Sequence, residues 1–485
     1  MPPWQAVLVS AAVVVLWALW AAYFNTAQFG DNIEQFNWAH SLEWGYHKHP
    51  PLPTWLLGLL VRAVGPVRYA AYGLAAAAAV GTCWLTWLIA RRLLGESIAA
   101  AAMLLWPLQQ TFAQRAQLYN HNTVLVLCIV ACVWCSLKAT ESRARTGAAW
   151  WLATGACAGL AFLSKYQAAV PLAALLFTLH WAGHLGSGRR WLGAALAVAV
   201  AALVCLPHAL WVLQHDFSTL RYAAEAVEAS GLQHRLATLL SFIANQLRMI
   251  VPMLLALAAF ALIERLRPSP ATQRGATPQG IDSGKWLIGL VWLPAALLVP
   301  LDLAGVSLRN HWGVQTFQFL SLWVAWRLTK GRGINLPRLA RVAVAVQLVG
   351  LVAYAVQQRD PQAQRSERRL DTEFPAQRLA DAAVARWKAA TPCPLRFTAG
   401  DPFLAGLVSV YSGLNPAVFY GEESTPWISA RELAQAGAIF AVESGSHLPA
   451  GVTLVEPFKS VPDEAGQPSA RTVYLGVLPP AADCK

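Results

Sequence analysis

The chain has 485 residues, 56% of them hydrophobic and 13% charged, with a formal net charge of +12. A soluble globular protein carries about 25% charged residues, so this composition, with repeated apolar runs near ~20 residues, excludes a soluble enzyme and predicts a mainly α, polytopic membrane protein. The basicity is uneven: residues 1–357 hold 25 Lys/Arg against 11 Asp/Glu and residues 358–485 hold 12 against 14, and no basic run with interleaved aromatics offers a nucleic-acid groove.

The first apolar run, 4–24, has no basic n-region and is followed by further spans, so it reads as an uncleaved anchor rather than a signal peptide. A short polar loop follows: Gly30-Asp31-Asn32-Ile33-Glu34-Gln35, then Trp44-Gly45-Tyr46-His47-Lys48-His49-Pro50-Pro51. Leu52–Val64 is apolar but too short to cross, which predicts an interfacial or re-entrant helix inside a structured first external loop, 25–69. Further spans are predicted near 70–90, 97–113, 122–139, 148–163, 167–183, 191–212, 246–263, 286–301, 312–326 and 338–357, eleven in all. The 22 tryptophans suit a protein with two membrane–water interfaces. Cys128, Cys132 and Cys135 share a helix face; small residues at a helix–helix contact are favoured there over a metal. Gly155 and Gly159 form a GxxxG close-packing pair. The long loop 213–245 is expected to hold another interfacial helix, and 268–284 is a Pro/Gly-rich linker.

With the N-terminus inside, sixteen Lys/Arg fall in cytoplasmic loops and nine in outside segments before the tail. That bias supports the orientation, and eleven spans then put the C-terminus outside. The tail alternates helical patterns (375–389, 402–411, 429–435) with strand-like runs (395–399, 416–420, 437–443, 452–456, 472–477), which predicts a small α/β domain. Two domains follow: a membrane domain, 1–357, and an external α/β domain, 358–485. Cys393 and Cys484 flank the tail and could pair in an oxidising compartment.

Ionisable groups at a membrane boundary are costly to desolvate, so their clusters point to function. Asp31 and Glu34 share a helix face and could deprotonate an acceptor hydroxyl or hold a divalent cation; the plainer reading is an acid at a helix start with a solvated neighbour. Lys48 and His49, stiffened by Pro50-Pro51, suit a phosphate; the plainer reading is a lysine snorkelling to the headgroups. Lys165, in Phe162-Leu163-Ser164-Lys165-Tyr166, lies between two spans with almost no spacer, and a phosphate is its natural partner. Arg115 with Tyr119, Asn120, His121 and Asn122, and Arg309-Asn310-His311-Trp312, lie on the same outside face.

Gly-Tyr-x-x-His-Pro-Pro-Leu after a loop acid resembles the bacterial GT-C glycosyltransferases that use polyprenyl-phosphate sugars, the lipid A aminoarabinose transferase type and the broader protein O-mannosyltransferase-like group. Phe162–Tyr166 resembles that group's lysine motif, and His311-Trp312-Gly313 another recurrent segment. The likeness covers roughly 1–330, with the tail matching in position. It implies a GT-C-like fold and an inverting sugar transfer from a polyprenyl-phosphate donor to lipid A, lipopolysaccharide or another envelope lipid or glycan, at the periplasmic face of a bacterial inner membrane. Asp31 would match the family's loop-one acid, implicated in acceptor activation or metal binding, with Glu34 the second candidate. Tyr46, Lys48, His49, Arg115, Lys165, Arg309 and His311 form the candidate donor-phosphate and substrate-binding set. Many relatives have Asp-Glu where this chain has Asp31-Asn32, and the aminoarabinose transferases have Glu-Lys where it has Lys48-His49. One carboxylate fewer and one cation more speak against aminoarabinose as donor and against a metal. The alternative function is a transporter or flippase of a lipid-linked sugar, but the polar residues gather at one face and no internal repeat appears.

Overall fold

The computed structural model describes residues 1–65, 67–142, 144–224, 231–269, 281–329, 333–359, 371–443, 448, 451–454, 457–459 and 472–481. The chain is mainly helical with a small sheet near its C-terminus. The membrane part runs through α1 (Pro3–Phe24), α2 (Gly30–Trp38), α3 (Leu52–Val64), α4 (Ala70–Leu94), α5 (Glu96–Leu105), α6 (His121–Glu141), α7 (Ala144–Ser164) and α8 (Ala169–Trp181). It continues through α9 (Gly188–Gln214), α10 (Ser218–Ala224), α11 (Leu232–Met249), α12 (Val251–Leu266), α13 (Ser283–Leu303), α14 (Gly313–Thr316), α15 (Leu320–Leu328) and α16 (Leu336–Arg359).

Seven of these helices are long and apolar enough to cross a membrane, and α11 with α12 makes an eighth if that pair, bent by 49°, is one span. Three expected spans are shorter or broken. The 97–113 run leaves the α-helix at Leu105 for a 3-10 turn, Trp106–Leu108, where Pro107 has no amide hydrogen to give. The 167–183 run starts late, after a 3-10 turn at Tyr166–Ala168, and α8 has 13 residues. The 312–326 run divides into a 3-10 turn, α14 and α15. Leu52–Val64 is a helix of 13 residues with the bounds expected of it.

The GxxxG pair brings two backbones together. A Cβ on Gly155 would press on the Ala197 carbonyl and Val200 of α9, and one on Gly159 would press on Val204. Cys132 lies in the α6–α7 contact, its thiol 3.5 Å from the Thr154 carbonyl. Cys128, Cys132 and Cys135 are free and buried, so they pack as small apolar residues.

Among the described residues the tail forms a six-stranded sheet: β1 (Phe397–Gly400), β2 (Ala417–Phe419), β3 (Ala438–Glu443), β4 (Thr453–Leu454), β5 (Phe458–Lys459) and β6 (Thr472–Leu478). β1 pairs in parallel with β2 and β3, and β6 runs antiparallel to β3, β4 and β5. Helices Ala376–Ala390, Pro402–Tyr411 and Ala430–Ala436 accompany it. Asp401 caps the second, accepting from the Phe403 and Leu404 amides, and Ser429 with Glu432 forms a capping box on the third. The Cys393–Cys484 pairing and most of the 268–284 linker fall on Cys484 and 270–280, outside the described residues.

This unit is fused to the first loop. The Thr26 and Ala27 amides donate to the Thr372 carbonyl at 2.9 and 3.1 Å. Asn37 Nδ2 donates to the Pro402 carbonyl at 2.8 Å and Trp38 Nε1 to the Tyr420 hydroxyl at 2.6 Å. A side chain at Gly406 would collide with Ile33 and Asn37, so α2 and the Pro402–Tyr411 helix meet at backbone distance. Ile33, Leu52, Leu57, Leu379, Leu404 and Ile439 belong to one buried cluster. Burial of that kind, about 1.5–3 kcal/mol for each large apolar side chain, fixes α2 from behind.

Candidate active site

α2 places Asp31 in its first turn, where the helix N-terminus favours a negative charge. Asn120 Nδ2 donates to Asp31 Oδ2 at 2.7 Å. The same Asn120 caps α6: its Oδ1 accepts from the Asn122 and Thr123 amides at 2.9 and 3.2 Å. Asn32, one residue on, is fully buried. Its Nδ2 donates to Gln28 Oε1 at 2.7 Å and its Oδ1 accepts from the Tyr119 amide at 2.8 Å. A carboxylate there could accept from Tyr119 but could not donate to Gln28, so Asn32 is a clamp rather than a missing acid.

Glu34 does not stand beside Asp31 as a free second carboxylate. It forms an ion pair with Lys48 at 2.7 Å. Burial alone would lower Lys48, but Glu34, Tyr222 and Asp31 together offset it and hold the ammonium above its ordinary value. The loop carrying Lys48 is closed by reciprocal bonds, Tyr46 amide to His49 carbonyl at 3.0 Å and His49 amide to Tyr46 carbonyl at 3.2 Å. Gly45 is required just before it, because a Cβ there would enter the Trp211 ring. His208 ties the loop to the helices: its Nδ1 lies 2.6 Å from the Trp44 carbonyl and its Nε2 2.7 Å from the Tyr166 hydroxyl, which also meets Thr219 Oγ1 at 2.7 Å.

Lys165 stands where α7 ends and donates from Nζ to Asn122 Oδ1 at 3.0 Å. Burial pushes it down to about 8, with Asp31 opposing. The His49 ring lies 4.1 Å from the His121 ring and meets Tyr222 edge-on at 5.7 Å. Burial, then the His121, Lys165 and Lys48 charges, keep His49 well below its ordinary value, so it is neutral near pH 7. Lys48 Nζ sits 5.9 Å from the Tyr222 ring centre. His311 is pushed down to about 3 by burial, helped by Lys165, Arg309 and Arg115.

These groups line one cavity of about 1100 Å³. Asp31, Glu34, Lys48, His49, Arg115, Lys165, Arg309 and His311, predicted from five separate segments, all reach its wall. Ala79, Val126, Val170, Leu301 and Val314 supply an apolar side. Tyr46, expected to bind substrate, does not reach the cavity. It is 1% exposed, stacks on Trp38 with ring centres 5.0 Å apart, and donates its hydroxyl to the Ser41 carbonyl at 2.7 Å. Its role is to shape the loop. Tyr222 and Arg248 also line the cavity, and neither carries a sequence signal that points there. Tyr222 follows a loop with no local motif, and Arg248 ends an amphipathic helix where a basic residue is ordinary.

The donor set does not suit a divalent cation. A hard cation takes about six oxygen ligands, whereas Glu34 is committed to Lys48 and the remaining charged groups around Asp31 are cations. Among the described residues no three His, Cys, Asp or Glu side chains gather as a metal site. Asp31 and Glu34 thus do not fit the divalent cation expected of them.

Known proteins share parts of this architecture. The family profile described as dolichyl-phosphate-mannose-protein mannosyltransferase matches residues 48–211. The lipid A galacturonosyltransferase RgtD of Rhizobium johnstonii is 25% identical over 327 residues, 64% of this chain and 63% of that protein. The chain thus matches somewhat under two thirds of that relative's length. ArnT from Cupriavidus metallidurans bound to undecaprenyl phosphate superposes with a TM-score of 0.66 at 15% identity, covering 97% of this chain and 98% of that one. Its apo state gives 0.64 at 16% identity, covering 97% of each.

Proposed function

We propose that this chain, which has the GT-C membrane fold seen in ArnT, is a glycosyltransferase moving a sugar from a polyprenyl-phosphate donor to a lipid or glycan acceptor. The observation that carries the reading is the single cavity in which Asp31 faces Lys48 and Lys165, with apolar walls alongside. A lipid-linked phosphate needs both environments. The similarity to RgtD and to the mannosyltransferase family supports the reaction class, and the undecaprenyl phosphate bound by ArnT supports the donor type. The transporter alternative is not favoured, since these relatives are named as transferases.

In the proposed reaction an acceptor hydroxyl attacks the anomeric carbon as the bond from that carbon to the phosphate oxygen breaks. The bonding pair leaves on the polyprenyl phosphate, and the hydroxyl proton passes to Asp31, held in place by Asn120. Lys48 and Lys165 stabilise the charge that grows on the phosphate. Neutral His49 donates a hydrogen bond beside them. Attack opposite the leaving group inverts the sugar. The polyprenyl donor, the lipid A or lipopolysaccharide acceptor, the bacterial inner membrane and the periplasm-facing site all belong to this proposal, as does the division at 357/358 into membrane and external α/β domains.

Mass spectrometry of envelope lipids from a deletion strain tests it. The proposal predicts loss of one hexose-, pentose- or uronate-sized increment from an acceptor. An unchanged lipid and glycan profile, with donor lipid merely redistributed across vesicles, would overturn it in favour of transport.

A further inference from the structure

α9 is long and apolar enough to cross a membrane, yet it carries a buried histidine, and an ionisable side chain inside a span points to an assigned role. His208 is 5% exposed and is not one of the residues that line the cavity. Both of its ring nitrogens are spent on protein groups. Nδ1 lies 2.6 Å from the Trp44 carbonyl, which can only accept, so Nδ1 carries the proton. Nε2 of the neutral ring then accepts from the Tyr166 hydroxyl at 2.7 Å. With its own proton committed, the Tyr166 oxygen accepts from the Thr219 hydroxyl at 2.7 Å. The direction of every bond in the chain follows from the one carbonyl.

These bonds join three segments that carry cavity groups. Trp44 leads into the loop that the reciprocal Tyr46–His49 bonds close around Lys48. Tyr166 follows Lys165 directly. Thr219 lies in α10, one turn before Tyr222. Trp211, one turn beyond His208 on α9, packs on Gly45 of the same loop. Tyr166 lines the cavity, but its proton is already given to His208 and is not available to a substrate. Lys48 and Lys165 come from segments far apart in sequence, and a phosphate shared by two cations is sensitive to their separation, because a displacement of ~1 Å can cost roughly 100-fold in rate.

We infer that His208 is a positioning residue: through Trp44 and Tyr166 it sets the separation of Lys48 and Lys165, the two cations that receive the donor phosphate. The link stands on geometry, and the identity of the ligand between the lysines rests on the glycosyltransferase reading.

The two arms of the link can be cut separately in the full chain in nanodiscs. Asparagine at 208 offers an amide near the Nδ1 position and keeps the Trp44 arm. Glutamine reaches the Nε2 position and keeps the Tyr166 arm. Polyprenyl phosphate binding and sugar transfer are measured separately. His208→Asn, His208→Gln and Tyr166→Phe should each weaken polyprenyl phosphate binding about 5–10-fold and lower kcat about 10-fold or more. His208→Asn with Tyr166→Phe cuts one arm twice, so the double variant should be no worse than either single change. In a Lys48→Met background the His208 changes should alter binding by about twofold at most, because the link then has no second lysine to place. Dissociation constants do not depend on the fraction of folded protein, so instability does not mimic this pattern. A lowered unfolding midpoint with binding and kcat as in wild type would overturn the inference. So would losses that add in the double variant, or that persist in full in the Lys48→Met background. Transfer by wild type, with His208 variants that bind polyprenyl phosphate unchanged, would sink this inference and leave the proposed function standing. His208-dependent binding with no transfer from any polyprenyl-phosphate sugar would do the reverse.

Discussion

Asn120 holds Asp31 with one end of its side-chain amide and caps α6 with the other: Nδ2 donates to Asp31 Oδ2 at 2.7 Å while Oδ1 accepts from the Asn122 and Thr123 amides. The position of the proposed base is therefore coupled to the start of a buried membrane helix. Asn120→Ala should cost about 1 kcal/mol of stability through the lost cap and roughly 10–100-fold in kcat through the freed carboxylate. Asn120→Asp keeps a capping oxygen but sets a like charge beside Asp31, so the acid limb of its pH–rate profile should move to higher pH. Thermal unfolding and pH-dependent kinetics on the two variants separate the roles. A stability loss with unchanged kcat in Asn120→Ala would mean the tether has no catalytic part.

The Glu34–Lys48 pair predicts a strong non-additivity. Lys48→Met strands the Glu34 carboxylate, and the cost should be about 1–2 kcal/mol, reduced from the fully buried figure by solvent screening. The side chains are 33% and 23% exposed, respectively for Lys48 and Glu34. Adding Glu34→Gln to Lys48→Met should recover most of that stability without restoring transfer. A double-mutant cycle of unfolding midpoints checks it; additive losses would show that the pair is not coupled.

Lys165 sets the alkaline limit. Its folded-state value is pushed down to about 8 from an ordinary 10.5, with burial the main cause. The ammonium that faces the donor phosphate is then lost as pH rises through about 8, so kcat/KM should fall there. Lys165→Arg should keep its charge and carry the limb beyond pH 10. Stability of the ligand-free protein should move the other way: between about 8 and 10.5 the unfolded chain binds more protons, so stability rises with pH across that window. A kcat/KM flat to pH 10 in wild type would contradict this.

Gly45→Ala would drive a methyl into the Trp211 ring. Overpacking of this kind costs typically 1–3 kcal/mol, and here it displaces the loop that carries Lys48. Trp211→Leu should partly restore both stability and activity to Gly45→Ala. No rescue would mean that Gly45 is needed for another reason.

Much of this was legible in the chain. Leu52–Val64 could be read as a short non-crossing helix because its apolar run is bounded by prolines and Gly65. The tail's strands and helices were legible because Asp401 and Ser429 mark two helix starts and β3 and β6 are near-continuous apolar runs. The site's cations were legible as costly charges at span ends. What escaped was tertiary. Tyr46 sits within a binding-type motif, yet its ring is taken by Trp38. Glu34 looks like a second acid until its helix turns it toward Lys48. Tyr222 joins the cavity because α10 lies against Lys48 and His49, and Arg248 because α11 packs on α13 and the Asn310–Trp312 turn. The runs at 97–113 and 312–326 have the composition of spans, and composition does not show where a helix breaks into 3-10 turns.

The most direct measurement is reconstituted transfer with Asp31 altered. Full-length protein in nanodiscs, given a polyprenyl-phosphate sugar and a lipid acceptor, should form glycosylated acceptor and free polyprenyl phosphate in equal amounts. Asp31→Asn should lower kcat by about 10²-fold or more while donor binding, held by Lys48 and Lys165, persists. Equal turnover by Asp31→Asn and wild type would contradict the account.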